Sequence, residues 1–92
     1  MRDLFRPNQE PERTLYDAFQ KESGNRKGRE VVEWIEAERM AVWRAAREYS
    51  EKHGLRVPTM EEIERAETSA YGHVDYGAKW AYGVARHMRR EE

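Results

Sequence analysis

One junction constrains this fold more than any other stretch. His53-Gly54 closes a helix, and Thr59-Met60-Glu61-Glu62 opens the next, with only Leu55-Arg56-Val57-Pro58 between them. Gly54 is free to take the left-handed conformation that ends helices. Pro58 holds Val57 out of helical geometry. Thr59 and Glu62 have capping-box spacing: the Thr59 hydroxyl accepts from the Glu62 N–H, and the Glu62 carboxylate returns to the Thr59 N–H. A connector this short leaves the flanking helices antiparallel.

The remaining elements follow from periodicity. Pro11 suits the start of a first helix over about 11–23, where a missing N–H costs little. Leu15, Ala18 and Phe19 share one face of it, and Ser23-Gly24 stops it. The second helix spans about 29–53, with Val31, Ile35, Val42, Ala45, Ala46 and Tyr49 on one stripe. Glu38 falls inside that stripe, where a buried carboxylate needs a partner or a raised pKa; it is expected at the stripe's margin or paired with an Arg or Tyr from another helix. Val32, Met40 and Trp43 form a second apolar stripe, which asks for a second neighbour.

The third helix is expected to run over 59–90. Glu61, Glu62 and Glu64 suit the positive end of its dipole, and Arg86, Arg89 and Arg90 the negative end. If it is continuous, Ile63, Ala66, Ala70, Val74, Gly77, Ala81, Val84, Ala85 and Met88 form a seam of mostly small residues. The expected facing partner is helix two. Gly72 and Gly83 each cost a helix about 1 kcal/mol against Ala and raise the alternative of a kink near Gly72. The reading is an all-α, three-helix single domain over 1–92. It comprises a short N-terminal helix and a long antiparallel hairpin, preceded by a loose arm over 1–10 with Leu4 and Phe5 as its anchors.

Composition narrows the function. Ninety-two residues make a thin core, and the absence of cysteine leaves association as the natural supplement. A homo-oligomer, foremost a dimer, is therefore expected, with or without a protein partner. Seventeen basic and eighteen acidic residues are evenly mixed along the chain, which argues against a nucleic-acid partner. Glu61, Glu62 and Glu64 would also set carboxylates against phosphates if helix three were a recognition helix. Residues 1–6 turn polar before Pro7 with no apolar core, and no run is long enough for a membrane span. The expected location is cytoplasmic, with no membrane association.

Helix three concentrates the unusual side chains. His73, Tyr76, Trp80 and His87 fall on one side, and Asp75 and Tyr82 on another. With Trp43 and Met40 of helix two, these are the candidate interaction residues, because Tyr, Trp and Arg dominate binding surfaces. Arg26, Lys27 and Arg29 form the one local basic cluster and are a candidate anion contact at the start of helix two. Their loop lacks the Lys and hydroxyl of a nucleotide loop. His73 and Asp75, with Glu67 or His87, lack metal-site spacing, so no metal or cofactor is expected. Ser69 and His73 are helical neighbours without an oxyanion hole, so no catalytic residue is assigned.

The functional expectation is a small non-enzymatic protein-interaction module. In size and character it is like the inhibitors and adaptors that phages and other mobile elements direct at larger proteins. The alternative is an oligomeric binder of a nucleotide-like ligand through aromatic and arginine contacts.

Overall fold

A computed structural model describes residues 7–90. Leu4 and Phe5 lie outside the described residues. The chain is all-helical there, with four helices rather than three: α1 Glu12–Ser23, α2 Val31–His53, α3 Met60–Ala70 and α4 Tyr76–Arg89. The junction between α2 and α3 forms as its chemistry requires. Gly54 adopts φ 71°, and both arms of the Thr59–Glu62 box are made.

The correction is to helix three, which does not continue through residues 71–75. Gly72 takes φ +88°, outside the helical range. The N–H groups of Tyr71 and His73 turn back to the carbonyls of Thr68 and Ala70. Asp75 then starts α4 by accepting from the Ala78 N–H at 3.1 Å. This is a full reversal, so α3 and α4 form their own antiparallel hairpin. Glu67 meets Tyr76, Ile63 meets Trp80, and Glu62 meets His87.

The reversal rearranges the small-residue seam. Its two halves face each other, the α4 half also packs against α1, and contact with α2 is the lesser part. A Cβ on Gly83 would sit 3.0 Å from the Ala66 Cβ, so this glycine marks where α3 and α4 approach closely. A Cβ on Gly77 would sit 2.4 Å from Phe19 Cε2, which marks where α1 crosses α4. Val74, assigned to the seam, is instead 87% exposed in the turn.

The core gathers Leu15, Tyr16 and Phe19 from α1, Val42 and Ala46 from α2, and Ile63, Ala66 and Ala70 from α3. α4 contributes the largest share, centred on Trp80, which is 1% exposed. The Trp80 indole N–H donates to the Ile63 carbonyl at 3.0 Å, so its polar atom is satisfied inside the core. The Phe19 ring meets Tyr76 and Trp80 edge-on, each at 5.5 Å between centroids. Ser50 and Arg56 close the open end of α4. The Ser50 hydroxyl holds the Arg56 carbonyl, and Arg56 donates to the carbonyls of His87 and Met88.

Four buried glutamates among the described residues tie the elements together, each hydrogen-bonded by one arginine. Glu12 receives two hydrogen bonds from Arg89, joining α1 to the end of α4. Glu38 receives Arg26 Nε at 2.7 Å and the Ser23 hydroxyl at 3.1 Å, fixing the end of α1 and the following loop onto α2. Glu62 receives both Arg56 Nη groups, and Glu67 receives Arg39 Nε at 2.6 Å. A buried carboxylate is tolerated only when paired and hydrogen-bonded in this way. Glu38 is thus fully buried and not at the stripe's margin, and its partner is an arginine from the loop between α1 and α2 and not from another helix.

Candidate functional site

The sequence-derived interaction residues do not form one surface. Trp80 is core. Trp43 is half-buried, with its indole N–H donating to the Pro58 carbonyl at 3.1 Å and Arg47 over its ring at 5.5 Å. Tyr76 is half-buried, and its hydroxyl donates to Glu67 at 2.9 Å. Burial raises the Tyr76 pKa, and the Glu67 carboxylate adds to the rise, so this phenol is a fixed donor and not a base. Asp75 is a helix cap. His73, Tyr82 and Met40 are exposed, and His87 is partly buried 3.5 Å from Glu62.

The candidate anion contact is also divided. Arg26 is held by Glu38, and its guanidinium lies 4.0 Å over the Trp34 ring. Arg29 is paired with Glu22 at 3.0 Å. These two side chains pin the loop over 24–30 to the body, and only Lys27 of the three has no partner among the described residues. No group of three or more His, Asp or Glu side chains suited to a metal ion occurs among the described residues.

Two other surfaces stand out. The first is an apolar end of the bundle. Val31, Val32, Met40, Tyr71 and Val74 are all exposed; the other exposed large hydrophobics among the described residues are Val57 and Tyr82. Helix lengths explain why they gather. Ser23 at the end of α1 meets Glu38, so the first two turns of α2 stand beyond α1. α3 runs antiparallel to α2, from Pro58 at Trp43 to Glu67 at Arg39. The 71–75 turn therefore falls toward the start of α2. The Tyr71 hydroxyl lies within electrostatic reach of both Glu67 and Arg39, and burial with the Glu67 charge pushes its pKa up. Its ring stacks on Tyr76 at 5.5 Å and 11°, which fixes one face and leaves the other open. Val32 and Met40, from the second apolar stripe, remain uncovered, whereas Trp43 of that stripe finds the connector.

The second surface is a groove of about 520 Å³ between α3 and α4. Ala66 and Gly83 make its floor. Arg65, Lys79, Arg86 and Arg90 stand along it, with Ser69, Tyr82 and His87 supplying neutral polar groups, and no carboxylate among the described residues lines it. Burial lowers the His87 pKa; Glu62 opposes the shift, and Arg90, Arg56 and Arg65 add to it. The imidazole is thus held toward its neutral form in a region crowded with cations. Of the groove residues, Tyr82 and His87 were legible in the sequence as interaction candidates, whereas Arg65, Lys79, Arg86 and Arg90 were not. A helix running straight through residue 72 would put Arg65 far from Arg86.

No protein-family model matches the chain, and neither the curated proteins nor the solved structures gave a significant match. No helix among the described residues is long and apolar enough to cross a membrane.

Proposed function

We propose that this is a small non-enzymatic protein-interaction module that docks through the apolar end of the bundle, with a second copy of itself as the first partner. The observation that carries the reading is Val74. It is 87% exposed in the 71–75 turn, three residues after the exposed Tyr71, and Val31 and Val32 are exposed on the first turn of α2. A β-branched side chain at that exposure gains nothing for the monomer. A rigid stacked tyrosine in the same turn offers contact area at low entropic cost. The domain is small enough that further apolar burial would add materially to its stability. Binding a larger protein through the same end, as small mobile-element inhibitors and adaptors do, is the extension of this reading.

Light scattering across a wide concentration range tests it, with Val74→Asp and Tyr71→Ser as variants. Val74 is 87% exposed, so Val74→Asp should keep the wild-type melting behaviour, whereas Tyr71→Ser also gives up the stack on Tyr76 and should melt somewhat lower while staying folded. The expected result is a wild-type dimer that Val74→Asp converts to monomer. A wild-type protein that stays monomeric and binds no partner refutes the reading, as does a dimer that both variants leave intact.

A further inference from the structure

The α3–α4 groove is built unlike the rest of the surface. Elsewhere, Arg26, Arg39, Arg56 and Arg89 each hold a buried glutamate. In the groove the cations converge without being matched. Lys79 and Arg86 have no carboxylate within ion-pair distance among the described residues. Arg65 has only Glu61, itself 79% exposed, and such surface pairs are weak enough to exchange for a better partner. Arg90 lies 3.9 Å from Glu62, which Arg56 already engages with two hydrogen bonds. The whole chain has a formal charge of −1, so this excess is a matter of placement and not of composition.

We infer that the groove between α3 and α4 binds a small polyphosphate-bearing ligand, held along its length by Arg65, Lys79, Arg86 and Arg90. Spacing decides between one phosphate and several. From Lys79 to Arg90 is eleven residues of sequence, about 16 Å along a helix, more than one phosphate spans. Guanidinium groups hold phosphate oxygens in pairs, and Lys79 adds a point charge. The Ser69 and Tyr82 hydroxyls supply further donors. The volume lies within the usual range for small-ligand sites. A small ligand is favoured over a nucleic acid because Glu61 and Glu64, both exposed on α3, would repel a polyanion extending past the groove. Two sources share the required chemistry, a nucleoside triphosphate and an inorganic polyphosphate. Tyr82, 45% exposed, is the ring on which a base would stack.

The test is calorimetric titration of the full chain with adenosine triphosphate, inorganic tripolyphosphate, adenosine and a single-stranded oligonucleotide at one fixed salt concentration. Lys79→Gln/Arg86→Gln is the groove variant, and Arg44→Gln/Lys52→Gln, exposed residues of α2, is the charge-matched control. All four side chains are exposed, so melting temperatures should stay near wild type. The expected result is binding of both phosphate ligands, weakened at least about tenfold in the groove variant and unchanged in the control. Tighter binding of the nucleotide than of tripolyphosphate assigns the base to Tyr82; equal binding assigns the site to the phosphate chain. The inference is overturned if neither phosphate ligand binds, if the groove variant binds as well as wild type, or if the control loses as much. It is also overturned if only a single-stranded oligonucleotide binds.

Discussion

Replacing Gly77 by Ala should destabilise the protein, although the same change in an ordinary helix would stabilise it. The propensity gain is about 1 kcal/mol. Against it, the new Cβ would lie 2.4 Å from Phe19 Cε2, 2.6 Å from Phe19 Cδ2 and 3.3 Å from Tyr16 Cε1. Ordinary contact between such carbons is roughly 3.5–4.0 Å, so the ring must retreat by about 1 Å. It has nowhere to go: Phe19 is 7% exposed and packed edge-on against both Tyr76 and Trp80. Overpacking of this kind costs about 1–3 kcal/mol, and the tightness of the contact puts it at the upper end. The net loss should be about 2 kcal/mol, a drop of roughly 8–16 °C in melting temperature for a domain of this size. Urea unfolding followed by Trp fluorescence reads it directly. A double-mutant cycle separates clash from other effects. Phe19→Leu trims the offending ring edge, so Gly77→Ala should cost about 1 kcal/mol less in that background. Gly83→Ala is the internal comparison, because Ala66 need yield only a few tenths of an ångström, and its cost should be smaller. A Gly77→Ala protein as stable as wild type, or more so, would refute the close crossing of α1 over α4.

Two further expectations concern the buried carboxylates. Arg26→Ala strands Glu38, 0% exposed and left with Ser23 alone, and should cost about 2 kcal/mol once discounted for the partial exposure of Arg26. Adding Glu38→Gln should recover part of that loss in urea unfolding, and no recovery would mean that the pair does not act through charge. Acid stability should fall in two stages. The His87 pKa is held below its ordinary 6.5 by burial, so the unfolded chain takes up the proton first and stability drops as pH falls below that value. Glu62 is held from 4.5 to about 2 by the Arg56 hydrogen bonds, so its contribution is complete above pH 4.5 and is lost as pH falls toward 2. The full linkage is about 3 kcal/mol, reduced to roughly 1–2 because water still reaches the rim of the pair. Arg56→Gln should flatten the lower stage of a pH-dependent urea titration, and an unchanged profile would contradict the pairing.

The helix stop at Gly54 and the start at Thr59 were legible in the residues because both are local. A left-handed glycine and a side-chain cap are decided within four positions of sequence, whatever the chain packs against. The same holds for the apolar face of α1, for that of α2 apart from Val31, which is 58% exposed, and for the all-helical class. Glu38's need for a partner was legible too, although not which arginine would meet it. The reversal over 71–75 was not decided locally. A mid-helix glycine costs only about 1 kcal/mol, and Asp75 looks the same as a cap or as a surface aspartate until the chain's direction is known. What settles it is the gain when α4 folds back. Trp80 reaches the Ile63 carbonyl, Tyr76 reaches Glu67, Gly77 admits Phe19, and Gly83 admits Ala66. That single turn moved Trp80 from a supposed working surface into the core and put Val74 in solvent. It also brought Arg65 alongside Arg86, from separate helices, to make the groove. Local hydrogen bonding set where most helices begin and end; burial summed over the whole molecule decided where one of them breaks, and with it which side chains are left to bind anything.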